Sequence, residues 1–280
     1  MEALPYIQQF KGSIFVVKFG GSFMDTEQAR IGVATDLVFL ATVGIHVIVV
    51  HGGGPAINRA MAEAKIDPVW KNGLRYTDKD TVEIVERTLN NEINLNICEN
   101  IQIQKGKPIG VKGQDTFRCE KLDKDSDGNP VDLGYVGSIT HVETAQLKKY
   151  LEQDYTPIVS PVGKDAENQH YNINADTAAA HLAAAIGARR LVYLCDVPGL
   201  LKDPKDPGSL ISSVSESDVP LLRAEGIIGS GMLPKVESAV NALGRGVHRV
   251  HLIDGRLPHS ILLEIFTDKG VGTEIVHNPA

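Results

Sequence analysis

The sequence has few cysteines, a single tryptophan and no long apolar run. Cysteine occurs three times in 280 residues, at Cys98, Cys119 and Cys195, without any CxxC pair. This pattern indicates neither a disulfide framework nor a structural metal site. The first residues, MEALPYIQQFKG, have neither the basic-then-apolar pattern of a signal peptide nor an apolar span long enough to cross a membrane. We therefore expect a soluble cytoplasmic protein that binds no membrane.

The sequence also lacks an excess of basic residues. Lys and Arg number 28 against 35 Asp and Glu, and the formal net charge at pH 7 is −7. Binding to nucleic-acid phosphates requires a basic face, so a nucleic-acid partner is not expected. The hydrophobic fraction of 42% is typical of globular proteins. The length suits one large α/β domain or two closely joined lobes.

Short apolar runs alternate with longer segments of helical periodicity. The runs cover 14–19, 46–50, 157–160, 190–195 and 248–253. Apolar residues recur at helical spacing over 26–42, 55–65, 80–104, 174–187 and 233–244. This alternation predicts an α/β fold with a mainly parallel sheet covered on both faces. Segment 112–140 is polar and rich in turn residues around Asp127, Gly128 and Asn129, which predicts a β-hairpin projecting from the sheet.

Glycine-rich loops follow the first two predicted strands. The first strand leads into Gly20 and Gly21, and the second into HGGGPAIN at 51–58. Such loops serve either close packing or an anion cradle built from backbone N–H groups and a helix N-terminus. Parallel sheets bind ligands at the carboxyl ends of their strands, which favours the cradle. Neither GxxxxGK[ST] nor a clean GxGxxG is present, so any phosphate is held by another geometry.

Two lysines stand beside glycine-rich segments. Lys18 interrupts an apolar strand, and Lys235 follows IGSGM in the first turn of a predicted helix, where the dipole disfavours a cation. Each alone is compatible with a solvated side chain. Together they indicate an incoming anion and suit phosphoryl transfer, in which the protein chiefly positions and neutralises its substrates. Asn172, Asn174 and Asp176 flank the start of an Ala-rich helix, where helix capping is the ordinary role.

Seven motifs resemble, in order, those of the amino acid kinase family: VVKFGGS, VVHGGGPAIN, KNGLRYTD, VDLGYVG, NINADTAA, DVPGLL and GMLPKV. The resemblance runs from Lys18 to about Thr273. It implies an αββα-type three-layer sandwich with a mainly parallel central sheet. An N-lobe of about 1–187 would bind the amino acid and dimerise, and a C-lobe of about 188–280 would bind ATP with Mg²⁺. Within the family, the chain is similar to members that phosphorylate the side-chain carboxylate of N-acetyl-L-glutamate in arginine biosynthesis, giving N-acetyl-L-glutamyl 5-phosphate.

The resemblance also implies roles for individual residues. Lys18 and Lys235 match the two transition-state lysines, and Asp176 matches the acid that organises both. Arg75 matches the arginine that binds the substrate α-carboxylate, for which the planar fork of a guanidinium is suited. The other implied substrate-binding residues are Gly53, Gly54 and Asn172. The implied ATP-binding residues are Gly20, Gly21, Asp196, Gly199 and Leu201.

The resemblance further implies regulation and assembly. Leu4, Ile7 and Phe10 form an apolar face on a predicted N-terminal helix, and such a face needs a partner. The helix either packs on its own subunit or, as in arginine-inhibited members of the family, interlaces between dimers to form a hexamer. Segment 264–275 resembles the segment beside the arginine site of those members. Feedback inhibition by arginine and a homo-oligomer, dimeric or hexameric, are therefore expected.

Two other functions remain open at this point. One is a kinase of N-acetyl-aminoadipate or of a carrier-linked amino acid, whose motifs would be nearly the same. The other is a non-catalytic protein that binds arginine or a nitrogen-signalling partner. Retention of Lys18, Asp176 and Lys235 argues against the second alternative.

Overall fold

The computed structural model describes residues 3–71, 73–125, 128–229 and 231–278. Its helices are α1 (Ala3–Phe10), α2 (Glu27–Thr42), α3 (Gly54–Glu63), α4 (Lys79–Arg87), α5 (Asn94–Ile103), α6 (Ala145–Glu152), α7 (Ala175–Ile186), α8 (Val219–Ala224), α9 (Leu233–Gly244) and α10 (Ser260–Phe266). Its strands are β1 (Ile14–Phe19), β2 (His46–His51), β3 (Trp70–Lys71), β4 (Leu74–Arg75), β5 (Pro108–Val111), β6 (Phe117–Lys121), β7 (Gly137–Val142), β8 (Thr156–Val159), β9 (Val162–Lys164), β10 (His170–Asn172), β11 (Arg190–Cys195), β12 (Ser213–Ser215), β13 (Arg249–Asp254) and β14 (Thr273–Val276).

The centre of the fold is an eight-stranded sheet in the order β12-β14-β13-β11-β1-β2-β8-β5. All neighbouring pairs are parallel except β13 and β14. Helices cover both faces, so the expected three-layer α/β sandwich with a mainly parallel sheet is confirmed. β1 lies between β11 and β2, which places its carboxyl end in the middle of the sheet.

Side chains of β1 alternate between two hydrophobic cores. Phe15 and Val17 pack in the core that includes α2 and α5, whereas Val16 packs in the core that includes α7 and α9. Because alternate residues of a strand share a face, Lys18 lies on the same side as Val16 and faces α7. This parity brings a buried lysine towards the helix that begins with the NINAD motif.

The structure differs from the sequence-based expectation over 80–104. A π-helical turn, Thr88–Ile93, separates α4 from α5. Such a turn adds a residue to the helix without breaking its apolar face, so 3.6-residue periodicity does not reveal it.

The predicted hairpin at 112–140 is also only part of a larger element. β6 and β7 are antiparallel, but β9 and β10 extend them into a separate four-stranded sheet in the order β10-β9-β6-β7. Of the predicted turn, Asp127 lies outside the described residues. The additional strands were not predicted because each has only three residues, too few to display a period.

Helix α1 packs partly on its own chain. Phe10 is buried, and its ring meets Phe15 edge-on at a centroid distance of 5.4 Å. The Tyr6 hydroxyl donates a hydrogen bond of 2.6 Å to Asp268, just after α10. Leu4, by contrast, remains 50% exposed. Of the predicted apolar face, Ile7 and Phe10 therefore pack on their own chain, and Leu4 remains available for another contact. In the described parts of the chain, no helix combines the length and the apolar character that crossing a membrane requires.

Candidate active site

The glycine loops that follow β1 and β2 lie against each other. The Gly52 amide donates a hydrogen bond of 2.7 Å to the Phe19 carbonyl oxygen, which joins the two loops. A Cβ on Gly20 would lie 2.7 Å from the Lys18 Nζ and 3.2 Å from the Gly52 Cα. A side chain at Gly20 would therefore displace the lysine, and this explains why glycine follows a charged residue in this strand.

Lys18, Asp176 and Lys235 form one buried cluster. The Lys18 Nζ lies 3.1 Å from Asp176 Oδ1, and the Lys235 Nζ donates a hydrogen bond of 2.9 Å to Asp176 Oδ2. Lys18 and Asp176 are buried. The charge of Lys18 is thus tolerated because a resident carboxylate pairs with it, and no incoming anion is needed to explain its burial. We call these residues the Lys-Asp-Lys cluster.

Local structure fixes the central carboxylate. Asn174 caps α7, its side-chain oxygen accepting hydrogen bonds of 2.9 and 3.0 Å from the amides of Asp176 and Thr177. Asp176 lies in the first turn of α7, where the helix dipole favours an anion. Lys235 lies in the first turn of α9, where the dipole disfavours a cation. Pairing with Asp176 offsets that cost.

The cluster shifts the pKa values of Asp176 and Lys235. Burial raises the pKa of Asp176, but the ammonium groups of Lys18 and Lys235 outweigh it and hold the pKa below the usual value. Burial likewise lowers the pKa of Lys235, yet Asp176 reverses the effect and raises it. Two lysines and one aspartate give the cluster a formal net charge of +1.

A cavity of about 180 Å³ opens beside this cluster. It brings together six of the residues predicted for catalysis and substrate binding: Lys18, Gly53, Gly54, Arg75, Asn172 and Asp176. Leu74, Leu89, Val136 and Ile173 add an apolar wall. The seventh predicted residue, Lys235, joins the cavity through its hydrogen bond to Asp176. In the described chain, the cavity is therefore lined by apolar side chains and by three charged ones. Lys18 and Arg75 are cations, and Asp176 is an anion.

Arg75 is a buried cation without a carboxylate partner. Its guanidinium donates hydrogen bonds to Asn58 Oδ1 at 2.6 Å and Met61 Sδ at 3.2 Å, and lies 4.7 Å from the centroid of the Trp70 ring. In the described ranges, no Asp or Glu oxygen lies within 4.0 Å of it. Burial accordingly lowers the pKa of Arg75. Buried guanidinium groups are ordinarily paired, so Arg75 is poised to receive an anion.

The remaining substrate-side residues surround Arg75. The Asn172 side-chain amide donates a hydrogen bond of 3.2 Å to the Thr77 hydroxyl, which donates to the Arg75 carbonyl oxygen at 3.1 Å. A Cβ on Gly53 would lie within 2.7 Å of both Leu89 and Ile93, which the π-helical turn supplies. A side chain at Gly53 would therefore require Leu89 and Ile93 to shift, whereas a Cβ on Gly54 would meet nothing within 4 Å.

The residues predicted to bind ATP lie outside the described lining of this cavity. Asp196 Oδ1 accepts hydrogen bonds from the Ser22 amide at 2.9 Å and the Ser22 hydroxyl at 2.8 Å, so it joins the loop of Gly20 and Gly21 to the end of β11. Gly199 packs against Thr273, and Leu201 forms a bridge with Leu210. Gly199 and Leu201 therefore have packing partners in Thr273 and Leu210, respectively.

Several residues at this site were not predicted. Trp70 and Asn58 both contact Arg75, and Ser22 connects to Asp196 over 174 positions of sequence. Ser22 and Asn58 are the last residues of the motifs VVKFGGS and VVHGGGPAIN, but no role was predicted for either. Trp70 lies outside every quoted motif, and its role arises from the position of Arg75 in space.

The described residues contain no group of three or more His, Cys, Asp or Glu side chains that could hold a metal ion. The described chain therefore offers no ready cage for Mg²⁺. Magnesium commonly binds through substrate phosphates and water with only one or two carboxylates.

The parallel sheet, the paired glycine loops and the Lys-Asp-Lys cluster together define a class of kinase fold. Residues 13–254 match the model of the amino acid kinase family, and the chain belongs to that family. It is 45% identical to the acetylglutamate kinase of Akkermansia muciniphila over 98% of this chain and 93% of that protein.

Solved structures give the same picture. N-acetylglutamate synthase of Neisseria gonorrhoeae, complexed with coenzyme A and N-acetyl-glutamate, superposes with a TM-score of 0.87 at 25% identity. The match covers 100% of this chain but 63% of that one, so this chain is the shorter of the two. The same synthase complexed with coenzyme A and L-arginine gives a TM-score of 0.83 at 26% identity, over 99% of this chain and 64% of that one.

Proposed function

We propose that this protein transfers the γ-phosphoryl group of ATP to the side-chain carboxylate of N-acetyl-L-glutamate, giving N-acetyl-L-glutamyl 5-phosphate for arginine biosynthesis. The observation that carries the proposal is the buried Arg75 guanidinium, which has no carboxylate partner among the described residues and lies in the cavity beside the Lys-Asp-Lys cluster. Arg75 suits the substrate α-carboxylate, and the Lys-Asp-Lys cluster suits the reacting carboxylate and the phosphate. The names of the relatives support the choice of substrate.

The chemistry requires charge neutralisation rather than proton removal. A glutamate-type carboxylate has a pKa of about 4.3, so it is already a nucleophile at pH 7. Its approach to the γ-phosphoryl group is opposed by like charge. Lys18 and Lys235 carry the positive charge that offsets this repulsion, and Asp176 holds both ammonium groups in place. The backbone N–H groups of the Gly20–Gly21 and Gly53–Gly54 loops line the transfer path.

ATP and the amino acid would bind on different sides of the Lys-Asp-Lys cluster. Arg75, Asn172, Gly53 and Gly54 belong to the N-lobe of about 1–187, and Lys235 to the C-lobe of about 188–280. We assign ATP to Gly20, Gly21, Asp196, Gly199 and Leu201, with Mg²⁺ bound chiefly through the phosphates. The cytoplasm is the proposed location, in keeping with three free, buried cysteines.

A substrate panel tests the assignment directly. Purified protein is assayed with MgATP and N-acetyl-L-glutamate, N-acetyl-aminoadipate, L-glutamate or carbamate, and acyl phosphate is trapped with hydroxylamine. The highest kcat/KM is expected for N-acetyl-L-glutamate. A preference for N-acetyl-aminoadipate would establish the sister activity instead. Absence of turnover with every compound would favour a non-catalytic binding protein.

Arg75→Ala is expected to raise the KM for N-acetyl-L-glutamate about 30-fold or more while kcat falls less. Truncating one member of a buried charge pair costs about 2 kcal/mol or more, and the α-carboxylate is bound equally in the ground and transition states. Steady-state kinetics in both substrates measure the change. Arg87→Ala, at an exposed arginine of α4, is the matched control. An unchanged KM for the amino acid in Arg75→Ala would remove Arg75 from the substrate site.

We further propose a homo-oligomer in which α1 joins dimers into a hexamer, with arginine as feedback inhibitor. Arginine would bind beside 264–275, since the Tyr6–Asp268 hydrogen bond ties α1 to this segment. The arginine complex of the Neisseria synthase supports the choice of ligand. The exposure of Leu4 leaves one end of the α1 apolar face available to another subunit.

Deleting residues 1–12 is expected to leave kcat largely unchanged, to convert hexamers to dimers and to weaken arginine inhibition. The proposed active-site residues all follow Ser13, and an inhibitor acts only through different affinities for two states. Light scattering and arginine titrations of full-length and truncated protein measure both effects. Leu4→Ser, which alters only the exposed end of the face, is the milder companion variant. A truncated protein that retains its hexamer and its arginine response would confine α1 to intramolecular packing.

A further inference from the structure

Trp70, the only tryptophan in the chain, lies at the mouth of the cavity. Its side chain lines the cavity and is nevertheless 55% exposed. An exposed indole costs hydration free energy that burial would recover. A large aromatic group at a cavity mouth therefore invites a ligand that covers it.

The register of a short hairpin fixes the position of this ring. β3 and β4 pair antiparallel with Trp70 directly opposite Arg75. Directly opposed residues project from the same face of a β-ribbon, so the indole must meet the guanidinium. The Arg75 Cζ lies 4.7 Å from the ring centroid. Lys71, the next residue, donates a hydrogen bond of 3.2 Å to the Asp132 carbonyl oxygen and anchors the hairpin from its other side.

An aromatic partner and a carboxylate partner contact different parts of a guanidinium group. A carboxylate would take the in-plane N–H donors, which are the same groups that bind a substrate carboxylate. A ring face stabilises the cation from above the plane and takes no donor. Asn58 and Met61 accept from two of the five N–H groups. No acceptor among the described residues takes the other in-plane donors, while Trp70 fixes the tilt of that plane.

We propose that Trp70 is a positioning residue that holds the Arg75 guanidinium for the substrate α-carboxylate and is itself covered when the acyl amino acid binds. This inference rests on the proposed function of Arg75. It has a direct consequence for measurement. Because no other tryptophan is present, the intrinsic fluorescence of the protein reports occupancy of the amino acid site, and ATP, bound on the other side of the Lys-Asp-Lys cluster, has a much smaller effect.

Titration of the full-length protein with N-acetyl-L-glutamate tests the contact. The emission maximum is expected to shift to the blue and to saturate at concentrations comparable with the KM. Trp70→Ala is expected to raise the amino acid KM about 2- to 30-fold, the range that corresponds to known cation–π energies. The KM for ATP and kcat should change little. Trp70→Phe keeps an aromatic face and should restore most of the affinity.

Val69→Ala is the matched control, since Val69 is an exposed neighbour that lies outside the cavity lining. Its KM and fluorescence response should equal those of the wild type. Turnover of N-acetyl-L-glutamate without any fluorescence change, or a Trp70→Ala enzyme with wild-type KM, would overturn the role of Trp70 and leave the proposed activity intact. If no compound in the substrate panel is turned over, the activity fails. The titration with N-acetyl-L-glutamate still decides whether Trp70 contacts a bound acyl amino acid.

Discussion

Lys18→Ala and Lys235→Ala are each expected to lower kcat about 10²–10³-fold, the usual effect of removing one preorganised electrostatic group at a reacting centre. Each substitution removes one of the two ammonium groups that meet at Asp176. In the transition state, negative charge is spread over the oxygens of the transferring phosphoryl group. After either substitution, the formal net charge of the cluster facing these oxygens falls from +1 to zero. Measurements of kcat with saturating ATP and N-acetyl-L-glutamate test this.

Folding should suffer far less than the rate. After either substitution, Asp176 retains one ammonium partner, at 3.1 Å from Lys18 or 2.9 Å from Lys235. The corresponding methionine variants keep the apolar stem of the lysine and separate packing from charge. Lys148→Ala, at an exposed lysine of α6, is the control for loss of a lysine elsewhere. Near-wild-type turnover in either active-site variant would contradict the proposed mechanism.

Much of the fold was predictable because long buried strands carry a strong signal. The runs 14–19 and 190–195 coincide with β1 and β11, and the expected edges of the other three strands differ from the structure by one residue. β5 (PIGV) and β14 (TEIV) were missed because glycine and glutamate interrupt their apolar runs, whereas the equally short β8 is buried throughout. The break between α4 and α5 was missed for a different reason: an inserted residue leaves both flanking helices amphipathic.

The site residues that belong to sequence motifs could be predicted. The contacts that depend on how strands pair in the fold could not. The motifs singled out Lys18, Asp176 and Lys235, and the structure places their charged groups in contact. The reason that Lys18 is tolerated was not foreseen correctly, because the partner is a resident carboxylate. The Trp70–Arg75 contact and the Ser22–Asp196 hydrogen bonds depend on the register of a two-residue hairpin and on the adjacency of β1 and β11. The spacing of residues along the sequence reveals neither contact.

Asp176→Asn tests the centre of the cluster and should affect stability and rate together. The substitution leaves two ammonium groups facing a neutral amide in a buried site. Removing one partner from a buried ion pair typically costs about 3–5 kcal/mol of the free energy of unfolding. The two lysines should also move apart, because nothing offsets their repulsion, and kcat should fall at least as far as in the single lysine variants. Chemical denaturation and steady-state kinetics measure the two effects.

The pH dependence of stability separates this role from that of an ordinary buried carboxylate. In the folded protein the pKa of Asp176 lies below 3.8, so its contribution to stability is fully present above pH 3.8 and is lost as the pH falls through the folded value. Asp36, which is buried and accepts a hydrogen bond of 2.6 Å from His259, has a raised pKa. Its effect has the opposite sign: stability falls as the pH rises from 3.8 through the folded pKa.

Asp36→Asn is therefore the matched control for Asp176→Asn. Both remove a buried carboxylate, but Asp36 lies on α2, outside the described lining of the cavity. Relative to the wild type, Asp176→Asn should flatten the loss of stability as the pH falls below 3.8, whereas Asp36→Asn should act above pH 3.8, where it removes the stability that Asp36 gains as the pH falls from its folded pKa towards 3.8. Only Asp176→Asn should lower kcat. If the two variants have the same acid limb, or if Asp176→Asn retains wild-type turnover, the carboxylate of Asp176 does not hold the two lysines in the way that the geometry indicates.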